Sequence, residues 1–420
     1  YLVTGMPIQG KSIPLVNGEP LKPSSIAAAD VEPNTYTTIL VVDLENLKHS
    51  AYSFMTGPGS RLYMSRENLY VATSHGPNLL EAYKLVLEVS SKYLPTDVAS
   101  KLSSALDLGR VDEGIDVLEE YLSSLSELEV HDLLKKVSED LRSVSYSDKT
   151  DFYAFRVEGL DIEFRGSFEV QGRLLDQFSM EETGNYFIVA TTSSNYTIKL
   201  AYGPPKVTGT VGKTSTTEVE VSECSGGVCE IRKVLVIVTP PSISECWRPR
   251  LFISFSTSSP TENDVFILEV RGLKLVGSLR GLAKGERIYS ARLVGETFYL
   301  VTFRRVDPLF AIDVSDPKEP KVLGFLKAPG FSEYLHPLPG DKLLGVGVEE
   351  GGLKISLFDV SDPREMDEVS KIKIRGAWSV ALHDHHAVTV DLDSGLVFIC
   401  LLYTSPSPRD LSTSRMPSSA

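Results

Sequence analysis

No run of about 18 consecutive apolar residues occurs anywhere in this 420-residue chain, so nothing in it is a candidate membrane-spanning helix. The apolar stretch at 234–238 is only strand-sized. Lys and Arg number 42 against 56 Asp and Glu, a net charge of −14, and the basic residues form no cluster. Phosphate-backbone binding relies on such clusters, which argues against nucleic acid as a partner. There are four cysteines. Cys224 and Cys229 have neither a second cysteine pair nor nearby histidines to complete a tetrahedral zinc site. Gly-x-Ser-x-Gly, His-Glu-x-x-His and a phosphate-cradling glycine loop are all missing, and no Ser-His-Asp arrangement can be argued. The chain opens on Tyr1 with no signal peptide before it. It reads as a fragment or a processed product, so the missing signal says nothing about compartment.

What the chain has in quantity is strand material that repeats. Hydrophobic residues make up 42% and charged residues 23%, normal for a folded protein with a large core. FAIDVSDP at 310–317 and LFDVSDP at 357–363 are near copies, with Asp313 and Asp359 46 residues apart. Hairpins are expected at 61–73, 178–192, 287–303, 331–348 and 378–399, with a half unit at 35–56. The first two hairpins are completed by apolar-polar strands at 152–170 and 264–282, the next two by the DVSDP segments. Alternating strands separated by Gly, Pro, Asp and Asn turns, four to a unit, make a blade. Compact units start at Arg287, Phe331 and Trp378, at intervals of 44 and 47 residues. The fold class is therefore all-β: an incomplete β-propeller of four-stranded blades over 35–399, with five to six blades visible.

Two insertions interrupt the pattern. Residues 77–147 carry Leu, Val and Tyr at helical spacing, with helix-start residues at 95–97 and 124–126 and a plausible stop at Gly109. They predict a small bundle of three or four amphipathic helices whose leftover apolar face is the first place to seek a protein partner. Residues 203–261 are rich in Ser, Thr, Pro and Gly and predict a projecting β-hairpin arm. Residues 1–34 are an N-terminal extension. Residues 400–420 lose strand periodicity and resemble a translated sequencing-adapter tail; the alternative is a genuine disordered tail.

GERIYSARLVGETFYLVTFRRVDPLFAIDVSDPKEPKVLG, PGFSEYLHPL, GLKISLFDVSDP and ALHDHHAV, between 285 and 388, resemble the secreted archaeal and bacterial proteins with a β-propeller domain distantly related to WD repeats. YTTILVVDL, LYMSRENLYVAT and GSFEVQGRLLDQFSMEE are similar to earlier parts of the same domain. The resemblance implies a propeller exported to the cell surface or beyond it. It supplies no catalytic residues, because the family has none established.

Candidate chemistry is sparse. Asp313, Asp316, Asp359 and Asp362 are spaced as calcium ligands in a turn can be. Two carboxylates per turn fall short of the six to eight oxygens calcium prefers, which favours side-chain-capped turns. His383, His385 and His386 are the best metal candidates, but strand alternation would split them between faces. The structural reading, a hairpin turn with imidazole hydrogen bonds, is preferred for them, as it is for His336. No metal, cofactor or catalytic residue is assigned. Cys224 and Cys229 flank a Ser-Gly-Gly-Val turn, where facing hairpin ends come within disulfide distance; two free thiols are the alternative. Asn195-Tyr-Thr197 is an N-glycosylation sequon. By analogy with other propellers, Tyr289, Arg304, Arg305 and Glu333 are placed at the central channel.

The expected function is a non-enzymatic, extracellular or cell-surface binding or scaffold module for a protein or another surface component. The alternative is an enzyme acting on a glycan or small ligand at the channel mouth, which needs two convergent acidic or histidine side chains there.

Overall fold

The computed structural model describes residues 2–7, 15–16, 19–20, 35–57, 60–144, 146–203, 215–225, 228–238, 249–258, 260–303 and 307–403. They divide into two compact units, one of residues 1–74, 150–193 and 261–420 and one of 75–149 and 194–260.

The first unit is a series of antiparallel sheets laid down in chain order. Blade 1 joins Thr35–Val42 to His49–Thr56, with Leu2–Pro7 added along the other edge of Thr35–Val42. The added strand comes from the 1–34 extension and runs in register from Leu2↔Leu40 to Pro7↔Thr35. Blade 2 orders Arg61–Met64, Asn68–His75, Lys149–Glu158 and Asp161–Gln171. In blade 3, Arg173–Leu174 and Met180–Thr183 both pair with Tyr186–Ser193, followed by Glu262–Glu269 and Lys274–Leu282. Blade 4 is Arg287–Val294, Thr297–Phe303, Asp307–Asp313 and Lys321–Ala328. Blade 5 is Phe331–Leu338, Lys342–Glu349, Gly352–Asp359 and Asp367–Ile374. The quartets assembled from sequence, including the two split by insertions, are the sheets observed.

Successive blades bury their faces against each other, which is how a propeller makes its core. Ile39 and Phe54 of blade 1 meet Leu69 and Phe155 of blade 2. Tyr70 of blade 2 stacks on Phe187 of blade 3 with centroids 4.0 Å apart. Ile188 and Val265 meet Phe298 and Ile312 of blade 4, and Tyr299 and Leu309 meet Leu343 and Phe358 of blade 5.

The DVSDP segments are capped turns. Asp313 Oδ1 accepts from the Ser315 amide at 3.0 Å and its hydroxyl at 2.6 Å, and Asp359 does the same to Ser361 at 3.0 and 2.7 Å. Asp316 and Asp362 cap Lys318 and Arg364 at 3.0 and 2.9 Å. The prolines that follow fit against glycines of the preceding blade. A Cβ at Gly324, in the last strand of blade 4, would lie 2.6 Å from the Pro363 carbonyl oxygen, and one at Gly277 of blade 3 would collide with that of Pro317.

The 378–399 segment is not the regular hairpin expected. Two 3-10 turns, Val380–Leu382 and His385–Ala387, precede the short pair Val388–Asp391 and Leu396–Ile399. Ser379 and Asp384 cap these turns, accepting from the Ala381 and His386 amides at 3.1 and 3.0 Å. Such local bonds compete with a sheet ladder. Ala377–Trp378 pairs with Leu402–Tyr403, inside the segment read as a tail; residues 404–420 lie outside the described residues.

The second unit has its own core. Four helices, α1 (Leu79–Ser91), α2 (Thr96–Asp107), α3 (Val111–Ser123) and α4 (Glu127–Asp140), enclose Val86, Leu87, Leu102, Leu118 and Val137. Asn78 caps α1, and Ser126 with Glu129 forms a capping box on α4. Gly109, at φ +70°, follows α2. The apolar face of the helices is not left over for a partner: Ile198, Leu200 and Leu251 of a sheet cover it. That sheet orders Val228–Val238, Ser215–Ser225, Asn195–Gly203 and Arg250–Thr257. It begins at Asn195, before the 203–261 arm expected, because an alternating strand reads the same whichever sheet it joins. The insertions therefore form one body rather than a bundle and a separate arm.

Candidate functional site

The first strands of blades 4 and 5 each contain a β-bulge. Pairing skips between Ile288 and Ser290 in one, and between Ser332 and Tyr334 in the other. The unpaired residues are Tyr289 and Glu333. A bulge re-aims a side chain without breaking the strand, and both residues line one cleft of about 650 Å³. Blade 2 contributes Arg61 at the start of its first strand, and blade 3 contributes Asp176, Gln177 and Phe178 before its own. Tyr334 and the 381–385 segment add to the lining. The volume falls in the usual range of small-ligand sites.

Aromatic faces and polar edges alternate around this cleft. The Phe178 ring meets His385 edge-on at 4.9 Å and Tyr334 at 5.7 Å, and the Arg292 guanidinium lies 4.9 Å from the Phe178 centroid. Arg61 Nε donates to the Leu175 carbonyl at 3.3 Å. Asp176 accepts from the Phe178 and Ser179 amides at 2.9 and 3.1 Å, so it shapes the loop. Burial pushes its carboxyl above the usual range, against the pull of those bonds.

Glu333 is the acid most open to chemistry. Burial raises its carboxyl, and His383, with Nδ1 3.3 Å from Glu333 Oε2, opposes the rise. The neighbouring His336 accepts or donates to the Tyr334 hydroxyl at 2.9 Å; burial, then the Arg292 charge, lowers its pKa. Burial likewise comes first in lowering His385, followed by the charges of His386 and Arg292. A carboxyl with a raised pKa can donate or accept a hydrogen bond to a bound hydroxyl or amide.

Among the residues singled out in the sequence, Tyr289, Glu333, His383 and His385 come together here. His386 stands outside the lining, its Nδ1 2.9 Å from Asp384 Oδ1. Arg304 and Arg305 lie outside the described residues. Cys224 and Cys229 are direct cross-strand partners, but their side chains lie outside the described residues. Asn195 opens a strand and is half-buried. Arg61, Asp176, Gln177, Phe178 and Tyr334 escaped sequence reasoning. Their common signal is position: each sits within a few residues of the start of a blade's first strand.

A second cleft of about 430 Å³ is lined by Arg66, Arg156, Arg165 and Arg271. Arg156 pairs with Glu158 at 3.0 Å and Arg165 approaches Glu163 at 3.6 Å, which balances part of its charge. Glu182 in its wall is held by the Tyr70 hydroxyl at 2.7 Å and by Asn68 at 3.1 Å.

The family model of the β-propeller domain matches residues 7–415. The chain belongs to that family. An uncharacterised protein of Methanocaldococcus jannaschii is 33% identical over 354 residues, which cover 80% of this chain and 46% of that one. An uncharacterised protein of Archaeoglobus fulgidus is 29% identical over 364 residues, 83% of this chain and 47% of that one. The chain thus spans about half the length of these relatives. Among solved structures, the β-propeller domain of Cps50 (Swd1) from Myceliophteria thermophila aligns with 59% of this chain and 91% of its own, at a TM-score of 0.21 and 12% identity. The family carries the propeller fold, and among the described residues no helix is long and apolar enough to cross a membrane.

Proposed function

We propose that this propeller is an extracytoplasmic binding module, exported to the cell surface, that holds a surface component in the cleft built on Tyr289 and Glu333. The observation that carries the reading is that cleft: consecutive blades contribute to it, and matching bulges turn Tyr289 and Glu333 into its lining. Aromatic faces beside carboxyl, imidazole, amide and guanidinium edges suit a ligand with both apolar and hydrogen-bonding surface. Its extracytoplasmic site is supported by the family resemblance of its strings and by the sequon at Asn195.

The test uses purified cell envelopes of Methanocaldococcus jannaschii as the probe. The protein is expected to sediment with them, and a Tyr289→Ala, Tyr334→Ala double variant to stay in solution while keeping a folded circular dichroism spectrum, at a lowered melting temperature because both rings pack against core clusters. Equal sedimentation of the two, or none by either, rules the cleft out as the binding site.

A second reading, hydrolysis of a glycan in the same cleft, is favoured by one observation, the raised carboxyl of Glu333 beside His383. It predicts release of a chromophore from aryl glycosides that Glu333→Gln abolishes. The commitment of Asp176 to loop capping leaves the paired carboxylates of glycosidases unassembled, so the binding reading stands first.

A further inference from the structure

We propose that Asp384, His385 and His386 form a binding site for one divalent transition-metal ion at the wall of the cleft. Their ligand atoms lie within 4.8 Å of one another. The capped 3-10 turn achieves this, since it gathers onto one side residues that an extended strand would have sent to opposite faces. The two imidazole rings are 3.8 Å apart between centroids, and the Asp384 carboxylate is already 2.9 Å from His386 Nδ1.

Two imidazoles and a carboxylate suit zinc, copper, nickel or ferrous iron rather than calcium or magnesium. Donors around tetrahedral zinc stand about 3.3 Å apart, given bonds of 2.0–2.1 Å, so small side-chain rotations close the set. His386 has 80% of its side chain exposed and Asp384 51%, which leaves both free to make that adjustment. His383, part of the sequence-based set, is engaged by Glu333 instead, and Asp384 takes its place.

His385 also has the support that metal-bound histidines usually carry behind them. The Gln177 amide lies 3.3 Å from its Nε2 and 3.4 Å from its Nδ1. It is the amide nitrogen that faces the ring; with the amide turned end for end, the Gln177 carbonyl would accept the N–H of one ring nitrogen while the other binds the ion. Phe178, edge-on to the same ring at 4.9 Å, limits its rotation. Three protein ligands leave positions for water or for a ligand donor from the cleft, into which Asp384 and His385 both face. The site depends on this turn alone, whatever the cleft holds.

The experiment is calorimetric titration of tag-free protein with zinc chloride alone at neutral pH. One ion per chain is expected to bind. His385→Ala and His386→Ala should each weaken binding about tenfold or more, an energetic loss of about 1.4 kcal/mol per decade, while His49→Ala, at an exposed histidine of blade 1 outside the ligand set, leaves it unchanged. Asp384→Asn, which preserves the turn's cap, should weaken binding without lowering the melting temperature. Absence of zinc binding, or equal affinity in a His385→Ala, His386→Ala double variant, overturns the assignment.

Discussion

Tyr289 and Glu333 occupy the same bulged position in the first strands of consecutive blades, 44 residues apart, and both face one cleft. Glu333 is a carboxyl largely taken out of water in the wall of that cleft. Its pKa is raised in the folded state by burial, with His383 opposing. Such a group favours folding fully below its unfolded value of about 4.3 and loses that favour as pH rises through the folded value. Glu333→Gln should therefore melt with the wild type at pH 4 and above it at pH 7. Parallel melting curves across that range would count against a buried, titrating Glu333.

The Asp359 turn has the opposite sign. The Lys342 ammonium, then the Ser361 hydroxyl and amide, hold its carboxyl far below the usual range. Its stabilising effect is present above the unfolded value of about 3.9 and lost as pH falls toward the folded one. Asp359→Asn should lower the melting temperature at pH 6, and the gap to wild type should shrink as pH drops below 4. A gap that stays constant to pH 2 would show that the side chain's charge does not matter there.

Inside blade 5, Lys354 is 1% exposed and its ammonium lies 2.8 Å from Glu368 and 2.7 Å from the Pro329 carbonyl. Removing one member of a buried pair strands the other, typically for about 3–5 kcal/mol. Urea unfolding of Lys354→Met should show a loss near the lower end of that range, since Ser356 and Lys371 also contact Glu368. Adding Glu368→Leu should recover part of it. A single variant as stable as wild type would disprove the pairing.

The insertions share one core, so they should be removable together but not singly. Deleting 75–149 alone uncovers Ile198, Leu200 and Leu251, each at most 4% exposed, and should cause aggregation. Replacing both 75–149 and 194–260 with short turns should leave a folded propeller unit. The cut ends are adjacent: Ser74 and Thr150 hydroxyls are 2.8 Å apart, and Ser193 is the register partner of Glu262. Solubility and circular dichroism of the two deletions decide the matter.

The blades were legible because strand alternation and turn residues recur with a period, and an insertion does not erase the period on either side of it. The Asp-Pro turns were legible for a similar reason, since Asp313 and Asp359 bond within their own pentapeptides. The cleft was legible only in part. Its lining depends on register skips at Tyr289 and Glu333 and on segments hundreds of residues apart, such as the strand start at Arg61 and the turn at His385. The strand 195–203 shows the limit most plainly: its alternation specified a strand, and only packing against α4 in the helical core decided which sheet would own it.

The glycine-to-proline joints at Gly277–Pro317 and Gly324–Pro363 have a consequence for ancestry. A module cut at the blade boundaries would part each Asp-Pro corner from the bare strand position that receives it. Blade 4 carries both parts, the corner at Pro317 and the receiving Gly324, so a tandem copy of the whole blade sets its new corner against a bare strand position. A whole blade can therefore be copied without repair, each copy arriving with the corner that fits its neighbour and the glycine that receives the next.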